Sequence, residues 1–278
     1  MPQKDHRKRI ASFDLDMTLL DHGTWEIPVS AMDAIRRLRE DYIIVIASGR
    51  NMDAPYSVVY RDKIQPDAMI HLNGTKVTAG KTILYEHIME KEKLKALLAF
   101  AQEHQLSVGI SDELGDFYTC PEQVREMDLK RWNTTDRHFR DPWELMDRPV
   151  KTLAYVGGPE GVKLMEAHFP DFKFPMFAGN QGADIVEKES SKAMGLRRLC
   201  QYYGIELADT VAFGDSMNDL EIIEEAGIGV AMGNALPQIK EAADYVTDRI
   251  DEDGVWNACI KLNLFGINQK EDKNGGAV

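Results

Sequence analysis

The most informative stretch of this chain reads Ser12-Phe13-Asp14-Leu15-Asp16-Met17-Thr18-Leu19-Leu20. It follows a short apolar start, and its two carboxylates lie at the expected end of a strand. Because side chains alternate across a strand, Asp14 and Asp16 point the same way only while the chain stays extended. Two carboxyl groups in one cleft can divide an acid–base task between them. Aspartate is also common in solvated turns, so the pair alone leaves both interpretations open.

The composition limits the class of protein. The chain has 278 residues, of which 44% are hydrophobic, enough for one large domain or two smaller ones. Its formal net charge of -13 argues against nucleic acid and against an anionic membrane as partners. A small phosphorylated substrate stays compatible with this charge, because local cations can override the global field. We expect a monomer or a homodimer.

Cysteine usage and the start of the chain bear on location. Cys120, Cys200 and Cys259 are far apart and form no metal-ligand pair, so we interpret them as reduced thiols. Residues 1–9 are polar and basic with no apolar run behind them, and no stretch approaches the length of a membrane span. These features predict a cytoplasmic protein.

Helix and strand patterns alternate in the first and last parts of the chain. Residues 42–47 form an unbroken apolar run, as expected of a strand buried on both faces. Asn73-Gly74 is a turn signal before a hairpin strand. Further along, Ser190 or Ser191 caps a helix that stops at Gly204. Strand–helix–strand alternation with short links predicts an α/β fold with a parallel sheet and right-handed crossovers.

The middle of the chain has a different character. Residues 90–105 have the periodicity of an amphipathic helix, and candidate strands surround it. We interpret 80–186 as an inserted α+β domain between the two parts of an α/β core, 1–79 and 187–278. Four ring side chains in it could contact a substrate or fill its core, and they are Trp132, His138, Phe139 and Trp143.

A second acidic motif, Gly214-Asp215-Ser216-Met217-Asn218-Asp219, follows an apolar strand at 210–213. Ligands gather beyond the carboxyl ends of the strands in an open parallel sheet, so both acidic motifs are expected at one edge. Carboxylates that share a cleft repel one another, and hard oxygen ligands suit Mg²⁺. The predicted metal ligands are Asp14, Asp16, Asp215 and Asp219.

Two further pieces indicate a phosphate site. Ser48-Gly49 follows the apolar strand at 42–47, and a hydroxyl beside a glycine lets backbone N–H groups approach an anion. Lys192 lies in the first turn of a helix, where the helix dipole disfavours a cation. Its position makes sense if it faces a phosphate and the carboxylates. Either piece alone would be an ordinary turn or a solvated lysine.

Together these pieces resemble the haloacid dehalogenase-like hydrolase superfamily. Residues 14–18 match its DxDxT nucleophile loop, and residues 214–219 match its GDxxND motif. Ser48 stands at the family's Ser/Thr position and Lys192 at its Lys/Arg position. The likeness is specific over both core segments.

The finer resemblance is to the Cof-type phosphatases. It rests on Asn73-Gly74, on the stretch 227–235 and on Asp253-Gly254-Val255. The glycines of 227–235 do not have the spacing of a dinucleotide-binding turn, so we interpret them as core backbone. Over 80–186 the likeness is mainly one of position and length. The resemblance implies a Rossmann-like parallel-sheet core with an inserted cap of the type IIB kind.

The resemblance also implies a chemistry, the Mg²⁺-dependent hydrolysis of a small phosphorylated metabolite such as a sugar phosphate. Asp14 would attack phosphorus and form an aspartyl-phosphate. Asp16 would protonate the leaving oxygen and later deprotonate the attacking water. Mg²⁺ would contact Asp14, the Asp16 carbonyl and Asp215. Asp219 would bind the metal through water or orient Lys192.

The phosphoryl oxygens would be held by Ser48, Gly49, Lys192 and Asn218. Two other functions share these motifs. A phosphomutase or another phosphotransferase would return the phosphate to a hydroxyl group. A non-enzymatic module would use Asp14 as a phosphoacceptor switch, although Asp16 and the large insertion argue against it.

Overall fold

The structure, a computed structural model, describes residues 9–177 and 179–265. In chain order the strands are β1 (Arg9–Phe13), β2 (Tyr42–Ala47), β3 (Ala68–His71), β4 (Lys76–Ala79), β5 (Thr82–Glu86), β6 (Ser107–Asp112), β7 (Gly115–Tyr118), β8 (Phe139–Arg140), β9 (Leu153–Val156), β10 (Phe172–Lys173), β11 (Gly182–Glu187), β12 (Thr210–Gly214), β13 (Ile228–Ala231) and β14 (Tyr245–Val246). The α-helices are α1 (Val29–Leu38), α2 (Pro55–Ile64), α3 (Lys91–Glu103), α4 (Pro121–Trp132), α5 (Pro159–His168), α6 (Lys192–Tyr203), α7 (Leu220–Glu225), α8 (Pro237–Ala242) and α9 (Gly254–Lys261).

The larger sheet is the α/β core. Over the described residues it has the strand order β14-β13-β12-β1-β2-β3-β4-β5. The strands from β14 to β3 pair in parallel, and β4 and β5 add an antiparallel edge. Strand β2 is buried along its whole length, as expected for a parallel strand covered on both faces. The predicted α/β fold class with a parallel-sheet core is confirmed.

The smaller sheet has the order β10-β11-β9-β6-β7-β8 within the same described ranges. Its pairs are antiparallel except for β7 with β8. Leu97, Phe117 and Leu153 belong to an apolar cluster of their own, separate from the one that contains Ile44 and Phe213. Each sheet is therefore built on its own hydrophobic core.

The chain leaves the larger sheet after β5 and returns to it after β11. We call residues 87–187 the inserted segment. The sequence places a boundary after residue 79, yet β5 pairs with β4 inside the larger sheet. The side chains of β5 are exposed or half-buried, and its apolar run, Ile83-Leu84-Tyr85, is only three residues long. Our proposed division into core and inserted domain therefore changes at this boundary, which we place after Glu86.

Two helices carry no clear sequence signal. Helices α2 and α4 each begin with a proline in the first turn. Helix α2 buries Ser57 and Ile64, so it presents no continuous apolar stripe to the core. Neither helix bears a residue of the predicted metal or phosphate sites.

Two of the four ring residues proposed in the inserted segment pack against its core. Phe139 and Trp143 pack against apolar clusters of the smaller sheet. His138 is exposed, and its main-chain N–H donates to Asp116 Oδ2 at 2.9 Å. The side chain of Trp132 lies outside the described part of the chain.

No helix within residues 9–177 and 179–265 is both long and apolar enough to cross a membrane.

Candidate active site

The ends of the central strands bring the sequence motifs together. Asp14 directly follows β1, Ser48 follows β2 and Asp215 follows β12. Strand β1 lies between β2 and β12, and the Asp14 N–H donates to the Phe213 carbonyl at 2.9 Å. Three segments that are distant along the chain therefore meet at the carboxyl edge of the sheet, where open α/β sheets bind ligands.

A buried cluster of three carboxylates lies at this edge. Asp14, Asp215 and Asp219 each offer an oxygen, and these oxygens lie within 4.8 Å of one another. Lys192 is fully buried beside them, and its Nζ donates to Asp14 Oδ1 and to Asp219 Oδ1, each at 2.6 Å. Burial alone would lower the pKa of Lys192, but the charges of Asp14 and Asp219 raise it above its ordinary value. Lys192 is therefore charged in this cluster.

The start of helix α6 sets the position of Lys192. Ser191 is the N-cap residue, and its Oγ accepts the Met194 N–H at 3.2 Å. Gly74 has a φ of +89°, and a Cβ added there would lie 2.0 Å from the Ser191 carbonyl oxygen. Glycine is the residue that suits such a turn. The Asn73-Gly74 turn thus allows the start of helix α6, which carries Lys192, to approach the core sheet closely.

Three carboxyl groups lie beside one ammonium group in this cluster, so full ionisation would leave a net negative charge. Burial raises the pKa of Asp14 to about 8, and it raises the pKa of Asp215 well above its ordinary value. Neighbouring acids add to both shifts, whereas Lys192 opposes them. Hard oxygen donors that share a cleft are what Mg²⁺ prefers, and its charge would favour ionisation of these carboxyl groups. The donor set therefore fits the predicted metal.

Asp219 has hydrogen bonds on both of its carboxylate oxygens. Oδ1 accepts from Lys192, while Oδ2 accepts the N–H groups of Asp215 at 3.0 Å and Ser216 at 3.1 Å. With Ser216 it forms a capping box at the short 3-10 turn Met217–Asp219. These contacts are those expected of a residue that orients Lys192.

The side chain of Asp16 has a different set of partners. Arg50 donates from Nε to Oδ2 at 2.7 Å and from Nη2 to Oδ1 at 2.5 Å, and His22 Nε2 lies 2.6 Å from Oδ1. Burial alone would raise the pKa of Asp16, but hydrogen bonds from His22 and Arg50 lower it to about 2. The carboxyl group predicted to carry a proton is thus ionised in the free protein.

Sequence reasoning did not assign roles to Arg50 and His22. Arg50 directly follows Ser48-Gly49, so its place beside a predicted phosphate turn is a signal that could have found it. His22 lies six positions after Asp16 in an irregular stretch, and no spacing rule connects the two.

The predicted phosphate-binding residues lie at the adjoining strand ends. Ser48 is fully buried. A Cβ added to Gly49 would lie 3.5 Å from Asn218 Nδ2, so the Asn218 amide reaches the Ser48-Gly49 turn. The same Cβ position lies 3.4 Å from Asn73 Nδ2 and 3.0 Å from Asp184 Oδ2, two residues that the sequence did not place in the site.

Two further contacts support the loop at residues 14–18. Thr18 Oγ donates to Asp215 Oδ1 at 3.4 Å. Asn234 Nδ2 donates to the carbonyl of Met17, whose φ is +61°, at 2.8 Å. The stretch 227–235, which supplies Asn234 and strand β13, therefore serves as core backbone that reaches the site.

A cavity of about 950 Å³ lies between the core and the inserted segment. Asn73, Met217 and Asn218 line it from the core, and Phe174 and Met176 line it from the inserted segment. Its lining combines apolar side chains with a few polar groups, as in sites for small molecules. It therefore provides space for an organic group next to the Asn218 amide.

Comparison with known proteins agrees with this geometry. A family model described as haloacid dehalogenase-like hydrolase matches residues 11–259. The chain is 30% identical over 259 residues to a Bacillus subtilis protein named "Putative phosphatase YkrA", with 92% of this chain and 98% of that protein covered. It is 29% identical over 244 residues to the HMP-PP phosphatase of Klebsiella pneumoniae, with 84% of this chain and 86% of that protein covered. The solved structure of the HAD subclass IIB sugar phosphatase BT4131 matches with a TM-score of 0.82 at 27% identity, covering 92% of this chain and 99% of that one.

Proposed function

This chain belongs to the haloacid dehalogenase-like hydrolases, and from that premise we propose that it removes the phosphate from a small phosphorylated metabolite, such as a sugar phosphate, with Mg²⁺ as its cofactor. It is a phosphoric monoester hydrolase of the Cof type, and we propose the cytoplasm as its location. The observation that carries the proposal is the buried meeting of Asp14, Asp215 and Asp219 with Lys192 at the edge of the sheet.

Asp14 is the proposed nucleophile. Its carboxylate would attack phosphorus, form an aspartyl-phosphate and release the leaving group. Lys192, whose Nζ lies 2.6 Å from Asp14 Oδ1, would stabilise the charge that gathers on the phosphoryl oxygens. Asp219 keeps that ammonium group in place through its own contact at 2.6 Å.

The remaining polar groups have proposed roles in binding. Asp14, Asp215 and the main-chain carbonyl of Asp16 would hold Mg²⁺. When bound, this ion would supply the charge that offsets repulsion between a carboxylate nucleophile and a phosphate. Ser48, Gly49, Lys192 and Asn218 would bind the phosphoryl oxygens.

Asp16 is the proposed general acid and base. Arg50, which now holds its carboxylate, is the residue directly after the Ser48-Gly49 turn. An anionic ester at that turn would compete with Asp16 for the guanidinium group. Loss of this contact would raise the pKa of Asp16 and let it hold the proton that a leaving oxygen needs.

The first test measures release of inorganic phosphate from p-nitrophenyl phosphate and from a panel of phosphorylated metabolites. We expect turnover with MgCl₂ and its loss with EDTA. Asp14→Asn should lower kcat by about a thousandfold or more, because the nucleophile is removed. Asp33→Asn replaces an exposed acid that pairs with Arg36 on helix α1, and it should keep full turnover.

Each other result has a distinct meaning. Turnover that survives in Asp14→Asn would refute the nucleophile assignment. Isomer formation from a hexose phosphate without net phosphate release would indicate a phosphomutase. A long-lived phosphoprotein without turnover would indicate a phosphoacceptor module.

A further inference from the structure

The inserted segment contributes a carboxylate to the edge of the catalytic site. Asp184 lies in strand β11 of the smaller sheet, yet its Oδ2 accepts from Asn73 Nδ2 at 2.7 Å. Asn73 lies in the turn between β3 and β4 of the core. This hydrogen bond therefore joins the two sheets beside the Ser48-Gly49 turn, which is proposed to bind phosphate.

A second amide continues this contact. Asn218 Nδ2 donates to Asn73 Oδ1 at 3.0 Å, and Asn218 Oδ1 accepts from the Ser216 hydroxyl at 3.1 Å. Each amide donates on the side of Asp184 and accepts on the opposite side. Asp184, Asn73 and Asn218 thus form one directed chain of hydrogen bonds, which we call the amide chain.

An ionised carboxylate sets the direction of the amide chain, because it accepts hydrogen bonds and cannot donate them. Asn73 must turn its NH₂ group toward Asp184, so its carbonyl oxygen faces Asn218. Asn218 must then present its own NH₂ group, which has a second N–H beyond the one given to Asn73. Reversal of either amide would bring two acceptors or two donors together.

The amide chain lies at the turn expected to bind phosphate. A Cβ added to Gly49 would lie 3.0 Å from Asp184 Oδ2 and 3.5 Å from Asn218 Nδ2. Burial raises the pKa of Asp184 to about 6, and the Asn73 hydrogen bond opposes this shift. A carboxylate here does not attract an anion. Its contribution is therefore to orientation rather than to charge.

We propose that Asp184 is a positioning residue that, through Asn73, holds the second N–H of Asn218 toward the phosphoryl group. The phosphate site is then complete only with the inserted segment in place. This inference rests on the proposed function, in which Asn218 binds a phosphoryl oxygen.

The test compares Asp184→Leu, which removes the acceptor, with Asp184→Asn, which keeps one. Calorimetric binding of inorganic phosphate in MgCl₂ reports the site without any turnover. We expect Asp184→Leu to weaken phosphate binding about tenfold, and Asp184→Asn to weaken it by less than about threefold. With p-nitrophenyl phosphate, Asp184→Leu should raise KM more than it lowers kcat, as expected for an interaction made in both ground and transition states.

Two controls separate positioning from a structural effect. Asp147→Asn replaces an exposed acid of the inserted segment and should leave phosphate binding unchanged. In an Asn218→Ala background, the loss caused by Asp184→Leu should disappear, because no Asn218 amide remains to be oriented. If Asp184 had only a structural role, Asp184→Leu would weaken phosphate binding equally in the wild-type and the Asn218→Ala backgrounds.

Unchanged phosphate affinity in Asp184→Leu, or an equal loss in both backgrounds, would overturn the inference. If Asp184→Leu does not fold, Asn73→Gly breaks the same amide chain at a position whose φ of +53° suits glycine. It should give the same tenfold loss and the same dependence on Asn218, and full affinity there would overturn the inference as well. If the variants change phosphate binding as expected but the wild-type protein hydrolyses no phosphate ester, the proposed function is refuted and the positioning role of Asp184 stands.

Discussion

Asp14 and Asp16 belong to one short loop, yet their surroundings give them opposite proton affinities. Asp14 lies among other carboxylates, and its burial raises its pKa to about 8 despite the nearby Lys192. The side chain of Asp16 is 30% exposed and is held by Arg50 and His22. Burial of Asp16 acts in the same direction as for Asp14, but these hydrogen bonds lower its pKa to about 2. Partners, more than burial, thus separate the two acids.

Without a bound metal or substrate, the raised pKa of Asp14 and the lowered pKa of Asp16 are opposite to what the proposed reaction needs. A nucleophile must be ionised and a general acid must be protonated. We infer that binding of the metal and the ester lowers the pKa of Asp14 and raises the pKa of Asp16. A cation bound beside Asp14 lowers its pKa, and an anionic ester that draws Arg50 away raises the pKa of Asp16. The division of labour between the two acids therefore depends on the occupied site.

The largest expected effect concerns the buried surroundings of Asp14. Lys192→Met leaves Asp14 and Asp219 without their shared cation, so we expect the free energy of unfolding near neutral pH to fall by about 3 kcal/mol or more. Turnover should be lost as well. Urea unfolding measures the stability, and the deficit should shrink at low pH, where the carboxylates are protonated.

Lys163→Met is the matched control. Lys163 pairs with Glu160 on an exposed helix surface, with side-chain exposures of 69% and 87%. Its loss should leave stability nearly unchanged, because exposed ion pairs contribute little. Equal losses in the two variants would show that the Lys192 cluster is not a buried charge network.

The second effect tests the role of Asp16. Asp16→Asn should lower kcat/KM, which reports formation of the aspartyl-phosphate, about a hundredfold for an alkyl phosphate such as a sugar phosphate. The loss should be smaller for p-nitrophenyl phosphate, whose leaving group needs no proton. Steady-state kinetics with both esters would measure the difference. An equal loss for the two esters would argue against general acid catalysis by Asp16.

Asp53→Asn provides the control for this variant. Asp53 also binds two cations, Arg61 at 2.9 Å and Lys76 at 2.6 Å, but it has no proposed catalytic role. It should keep the wild-type ratio of activity toward the two esters. A changed ratio in Asp53→Asn would mean that the ratio reports general electrostatics rather than proton donation.

The smallest expected effect concerns stability against pH. Because the pKa of Asp16 is lowered in the folded protein, its contribution is present above its ordinary pKa and is lost as the pH falls toward about 2. Arg50→Gln should therefore cost about 1 kcal/mol near pH 7, a discounted value because both side chains are partly exposed. The difference from wild type should fade near pH 3 in urea unfolding. Arg36→Gln, in an exposed pair, should show little change at either pH.

Much of the fold follows from local signals. The apolar run at 42–47 predicts strand β2, and the cap at Ser191 with the stop at Gly204 predicts helix α6. These features depend on residues that are near one another in the chain, so a pattern can reveal them. Strand β5 was not predicted as part of the core because its apolar run is only three residues long and its side chains are exposed or half-buried.

The site residues likewise fall into those that local patterns predict and those that they do not. Asp14, Ser48 and Asp215 each directly follow a predicted strand, so one topological rule is enough to place them together. Lys192 follows from its helix start. By contrast, His22 and Asp184 reach the site from segments with no regular spacing to it, and their contacts arise only when the chain has folded.

The amino-acid order alone was enough to specify which acids, hydroxyl and lysine meet at the sheet edge, because buried strands and their ends are encoded locally. Folding added the proton affinity of each acid and the approach of the inserted segment to the Ser48-Gly49 turn. Those properties depend on distances between residues far apart in the chain, and electrostatic and hydrogen-bond energies change steeply with such distances.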